Sequence, residues 1–142
     1  MAFTSDHLMQ VAPMRLRERK LFMSTPDDHP IRIVPNPKRL RASLNGRVIA
    51  DTARALTLFE ASYPGVRYVP LADVDMTVLR KSTLKTRCPF KGEASYYSVV
   101  TTDGVAENAI WTYENPFPAA AKIAGYLAFD AARVDLFEGV KV

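Results

Sequence analysis

Apolar and polar residues alternate with a period of two along most of the chain after residue 30, the pattern of strands with one covered face. Ile31-Arg32-Ile33-Val34 alternates and stops at Pro35-Asn36-Pro37. Arg39 to Leu44 and Arg47 to Asp51 flank Asn45-Gly46, which predicts a two-residue hairpin, because a type I′ turn needs positive φ at both central positions. Such a hairpin pairs Leu44 with Arg47 and Ala42 with Ile49. It puts Leu40, Ala42, Leu44 and Ile49 on the core face and Arg39, Arg41 and Ser43 on the other. Residues 55–61 suit strand or helix; Thr57, Phe59 and the Pro64-Gly65 turn favour strand. Val66 to Val69 is a strand ended by Pro70, Asp73 caps a single turn through Met76, and a further strand begins at Val78-Leu79. Thr83 to Cys88 is extended and basic.

Alternation resumes on both sides of Asp103-Gly104. A two-residue turn there pairs Thr102 with Val105 and brings Tyr96 opposite Trp111. Ala94, Tyr96, Ser98 and Val100 then share a face with Glu107, Ala109, Trp111 and Tyr113. Asn115-Pro116 has the form of a helix N-cap followed by proline at the first helical position, and residues 118–123 supply one or two turns. Residues 124–129 and 134–137 close the domain as strands. The sum is a mainly β fold: a single antiparallel β domain of about eight short strands with one or two short helical turns.

Residues 1–28 differ from the rest. Residues 1–13 have the character of a loose tail, and Met14 to Phe22 that of a short helix or an arm packing on a neighbour. The turn-rich run from Ser24 to Pro30 places the start of the compact domain near residue 29, so the expected division is an extension over 1–28 and one β domain over 29–142. His29, beside a proline in that run, is expected at the surface.

The hydrophobic fraction of 48% and charged fraction of 24% are those of an ordinary globular protein. No apolar run approaches the roughly 18 residues a spanning helix needs, and the N-terminus has neither a basic leader nor a long apolar core. The single cysteine excludes an intramolecular disulfide and a multi-cysteine zinc site. These features together give the expectation of a cytoplasmic protein with no membrane contact. The net charge of +4 raises nucleic acid as a partner, but the excess is confined to the N-terminal third. Residues 1–47 carry nine Lys and Arg against four Asp and Glu, and the remainder ten against eleven. A short basic run such as Arg15 to Lys20 is more often a solvated arm than a phosphate-binding one, which argues against nucleic acid.

Candidate chemistry concentrates between Arg87 and Trp111, which hold the only cysteine, the only tryptophan and the adjacent Tyr96 and Tyr97. Cys88 is a candidate nucleophile: Arg87 and Lys91 would favour its thiolate, and Gly92 would let a substrate approach the backbone. No histidine lies nearby in sequence and no second cysteine can resolve an oxidised thiol, so burial of Cys88 in the core is the competing reading. Lys91 is either an anion-binding group or a solvated loop cation. Glu93 and Glu107 are candidate acids or bases, or exposed ion-pair partners. Asn108, rare inside a strand, is a candidate for ordering the Cys88 loop. Tyr96, Trp111 and Tyr113, with Phe117 and Tyr126 nearby, form either an aromatic pocket wall or ordinary cross-strand packing.

The segments Pro35-Asn36-Pro37-Lys38-Arg39, Asn45-Gly46, Ala50-Asp51-Thr52, Cys88-Pro89-Phe90-Lys91-Gly92-Glu93-Ala94-Ser95-Tyr96, Glu107-Asn108-Ala109-Ile110-Trp111-Thr112-Tyr113 and Ile123-Ala124-Gly125-Tyr126-Leu127-Ala128-Phe129 resemble the family called domain of unknown function 427, from about Pro30 to Gly139. The resemblance implies a mostly β fold similar to the β-tent, many of whose members hold zinc with four cysteines; with one cysteine here, no zinc site is expected. The family is sometimes labelled nucleotidyltransferase-like. Asp73-Val74-Asp75 has the carboxylate spacing such enzymes use but lacks the preceding Gly-Ser, so a solvated loop is the better reading of that pair. The leading expectation is a small-molecule-binding β domain using Lys91, Gly92, Glu93, Tyr96, Asn108, Trp111, Tyr113 and Tyr126, with the ligand and any cofactor unknown. An enzyme using Cys88 as a nucleophilic or redox group is the alternative. A scaffold or homo-oligomer assembled through the N-terminal arm is the third reading.

Overall fold

The computed structural model of the chain describes residues 29–141; the arm at Met14 to Phe22, and any oligomer formed through it, lies outside the described residues. The described residues form ten strands: β1 (Ile31–Pro35), β2 (Lys38–Leu44), β3 (Arg47–Thr52), β4 (Leu56–Glu60), β5 (Val66–Tyr68), β6 (Leu79–Cys88), β7 (Gly92–Thr101), β8 (Gly104–Thr112), β9 (Leu127–Phe129) and β10 (Asp135–Lys141). They form three antiparallel sheets, ordered β1-β4-β5, β10-β2-β3 and β6-β7-β8-β9. The helical content among the described residues is three short 3-10 segments, at Leu71–Asp73, Met76–Val78 and Pro118–Ile123. The mainly β antiparallel architecture is therefore as expected, with ten strands rather than eight. No helix among the described residues is long and apolar enough to cross a membrane.

The four-stranded sheet lies in the middle because successive side chains on a strand point to opposite faces. On β7, β8 and β9 the two faces feed different clusters. Tyr97, Val99, Ile110, Leu127 and Phe129 pack with Leu40, Ala42, Ile49 and Ala50 of β2 and β3. Ala94, Tyr96, Trp111 and Ala128 pack instead with Leu58 and Tyr68 of β4 and β5, with Ile31 and Ile33 of β1 at the margin. Covering both faces explains why β9 is buried at all three positions and why adjacent tyrosines at 96 and 97 both find apolar neighbours.

Several local expectations need correction. Asn45 (φ 49°) and Gly46 (φ 85°) do form the tight turn, and Leu44 does face Arg47. A bulge then makes Ala50, not Ile49, the partner of Ala42. At the second hairpin Thr101 pairs with Gly104, so the turn residues are Thr102 and Asp103 rather than Asp103 and Gly104. Between the pairs Val99–Ala106 and Tyr97–Ile110, Glu107, Asn108 and Ala109 oppose Ser98 alone. This bulge restores the frame, and Tyr96 faces Trp111 as expected. Asp75, not Asp73, caps a helical turn, its side chain accepting from the Thr77 amide. Asn115 caps nothing: the segment at Pro118 follows Phe117, which supplies no side-chain cap. Only residues 127–129 of the expected 124–129 strand are paired in the sheet.

Candidate functional site

The pairing of Cys88 with Gly92 closes the β6–β7 hairpin over Pro89, Phe90 and Lys91. Gly92 has φ +116°, a backbone setting side chains rarely adopt, and the turn is pinned by the Phe117 amide donating to the Lys91 carbonyl at 2.9 Å. That geometry sends Lys91 inward. It is neither a solvated cation nor a free anion receptor: its side chain is 3% exposed and its Nζ donates to Glu60 Oε1. Glu60 ends β4, where the alternation that buries Leu58 also points the carboxylate into the interior. The second oxygen, Oε2, accepts from His29 Nε2 at 2.7 Å, and the His29 ring stacks on Phe90 with centroids 3.6 Å apart and planes 14° from parallel. His29 is thus no ordinary surface residue; its side chain is 10% exposed and covers the pair.

Around this polar cluster stand the aromatic residues. Lys91 Nζ lies 5.8 Å from the centroid of the Tyr113 ring, within cation–π range. The Trp111 indole N–H donates to the Tyr68 hydroxyl at 3.3 Å, and the Tyr96 hydroxyl bonds Thr86 Oγ1 at 3.0 Å. Tyr68, Tyr96, Trp111 and Tyr113 are all buried, and Cys88, a free thiol, is buried in the same cluster.

Burial works against every charge here, and the partners decide the outcome. Burial pushes the Glu60 carboxyl up, but the hydrogen bond from His29 and the charge of Lys91 outweigh it and hold the group below its usual range. Burial pulls the Lys91 ammonium down, yet Cys88, Glu60 and Tyr68 together raise it above an ordinary lysine. Desolvation pushes the Tyr68 and Tyr96 hydroxyls up to about 12 and raises Tyr113 as well. Lys91 and Glu60 therefore form a charged pair walled by neutral phenols at neutral pH.

The structure gathers Cys88, Lys91, Tyr96, Trp111 and Tyr113 in one place, with Tyr126 half-buried at its margin and Gly92 in the bend. It does not bring Glu93 or Asn108 there. Glu93 points outward opposite Arg87, and Asn108 sits in the bulge across from Ser98, six residues along β7 from Gly92. Of the two readings of the aromatic set, packing against Leu58, Tyr68 and Ile123 is the one these contacts favour. Glu60, Tyr68 and Phe90 are members that the sequence does not single out, and His29 is one that it places at the surface. Glu60 carried a signal, since it shares parity with Leu58 on a strand, and an inward acid needs a cation. His29 carried none, because its contact with Glu60 spans 31 residues.

Asp73 and Asp75 hold no metal-like arrangement. Asp73 accepts from Thr52 and Arg54, and Asp75 from Arg47 and Thr77, each bound to its own partners. Among the described residues no three His, Cys, Asp or Glu side chains come together as a metal-holding group.

A mainly antiparallel β domain with an ammonium–carboxylate–imidazole cluster set into its aromatic core is the class of protein these observations define. The chain belongs to the family described as domain of unknown function 427, whose model matches residues 32–139, about three quarters of the chain and every member of the cluster except His29. A comparison with curated proteins gives no match.

Proposed function

We propose that the protein is a small-molecule-binding β domain whose site is the Lys91–Glu60 cluster beneath His29 and Phe90, backed by the packed rings of Tyr96, Trp111 and Tyr113 and with Tyr126 at its rim. One observation carries this reading: a charged pair is kept in an interior where well-packed apolar residues would be about as stable. A recognition role accounts for that cost. Among the described residues the pair is covered by the imidazole of His29, stacked on Phe90. A ligand with a flat ring and an N–H donor can take the place of that imidazole against Phe90 and bond Glu60 Oε2.

His29→Ala provides the test. Imidazole and larger nitrogen heteroaromatics, titrated at millimolar concentration, are expected to raise the melting temperature of the variant and alter Trp111 fluorescence, with the larger rings also acting on the wild type. No response from either protein to any such compound would sink the proposal. A second reading, an enzyme using Cys88, is favoured by the thiol sharing the cluster with the Lys91 ammonium. A thiol reagent that leaves Cys88 unmodified in the folded protein would eliminate it.

A further inference from the structure

The outward face of the β10-β2-β3 sheet carries a second feature, separate from the cluster above. A groove of about 460 Å³ runs along it, lined by Arg39, Arg41, Ser43, Val48, Phe137 and Gly139 together with the Gly46 turn. The register explains its composition. Arg41 pairs with Phe137 on one side and with Asp51 on the other, so ring, guanidinium and carboxylate form one row across three strands. Arg39 lies two residues along the same face of β2. Gly139 contributes no side chain, and a Cβ built there meets nothing within 4 Å.

Phe137 is 59% exposed and Val48 41%, two large apolar side chains left open on the outer strands of the same sheet face, with β2 between them. Each arginine side chain is 53% exposed and gives one hydrogen bond to Asp51, at 2.8 and 3.1 Å. One carboxylate thus serves two guanidiniums, which leaves most of their five N–H donors apiece for another acceptor.

We infer that this groove is a binding site for a small organic anion, a phosphate or carboxylate joined to a planar ring. The anion sits on Arg39 and Arg41 and the ring lies on Phe137. A groove of this volume suits a molecule the size of a mononucleotide. It holds one aromatic platform, whereas a nucleic-acid strand needs several in succession.

The test uses the full chain and titrates AMP, adenosine, inorganic phosphate and phthalate, followed by amide chemical shifts. AMP or phthalate is expected to shift residues of β2 and β10, with adenosine and phosphate at least about tenfold weaker because each lacks half of the contact. AMP without phthalate assigns the phosphate form, and the reverse assigns the carboxylate form. Arg41→Gln and Phe137→Ala are each expected to weaken binding about tenfold, a loss typical of one charge-assisted or stacking contact. Gly139→Val, which adds a branched side chain to the groove lining where a Cβ meets no atom within 4 Å, should weaken binding at least about tenfold while leaving the melting temperature in place. The proposal is overturned if neither AMP nor phthalate binds at millimolar concentration, if the three variants bind like the wild type, or if affinity climbs steadily with oligonucleotide length.

Discussion

Lys91 shows how far a single residue's role depends on its partners. In sequence it is a lysine beside a glycine in a turn, and in the fold it is a buried cation that neutralises Glu60. Lys91→Ala leaves the carboxylate in the interior with His29 alone and is expected to cost about 3–5 kcal/mol, read from the urea midpoint. Lys91→Met combined with Glu60→Leu removes both charges and should cost clearly less than the two single changes added together. Equal or greater loss in the double variant would mean that the pair stabilises the fold in its own right. Trp111 and Tyr113 were legible as large apolar anchors from residue type alone. Whether they line a cavity or pack is set by Leu58, Tyr68 and Ile123, which come from other elements.

At the scale of elements, alternation and turn chemistry located nearly every strand, while register escaped wherever a bulge intervened. The β7–β8 hairpin is the instructive case. Its turn sits one residue earlier than Asp103-Gly104 suggests, held by Thr101 Oγ1 donating to the Gly104 carbonyl at 2.9 Å and Asn45 Nδ2 donating to the Asp103 carbonyl at 3.1 Å. The second bond comes from the other hairpin's turn, so no local pattern could have revealed it. The bulge at Glu107–Ala109 takes up the difference, with Asn108 at φ 51° and its amide donating to Ser98 Oγ. Asn108 Oδ1 is buried there with no hydrogen-bond partner among the described residues. Asn108→Gly keeps the positive φ and removes the orphan oxygen, so a gain of roughly 0.5–1 kcal/mol is expected. Asn108→Ala keeps a Cβ in the left-handed region with nothing to favour it and should lose about 1 kcal/mol. Chemical denaturation of both variants checks the pair; stabilisation by alanine would refute this account of the bulge.

For the molecule as a whole, the buried cluster predicts an asymmetric pH profile. Tyr68, Tyr96 and Tyr113 hold their protons above the ordinary phenol value of 10.0, and Lys91 holds its own above 10.5. A raised value means stability that is complete below the unfolded value and lost as pH rises toward the folded one. All four groups act in the same direction, so unfolding free energy should fall steeply above pH 10, each group adding a slope of at most about 1.4 kcal/mol per pH unit. Glu60, held below 4.5, has the opposite sign: its contribution is present above the unfolded value and disappears as pH falls through the depressed one. Melting temperatures followed from pH 3 to 11 test both limbs. A flat alkaline limb would contradict the neutral, dry environment assigned to the three phenols.

The sequence by itself determined the class of fold, the strand-rich order and the Asn45-Gly46 turn, which follow from period-two alternation and from turn residues a few positions apart. Tyr96 meets Trp111 only because the bulge at Glu107–Ala109 offsets a turn placed one residue earlier than Asp103-Gly104 suggests. Tertiary structure alone decided that the central sheet is covered on both faces, that Lys91 finds Glu60 and His29, and that Arg41 lies between Asp51 and Phe137. The physical reason is common to all three. A strand's sequence reports which residues share a face, but the element that covers that face is brought there by the packing of the whole chain. Charge, burial and hydrogen bonding at a site depend on that covering element.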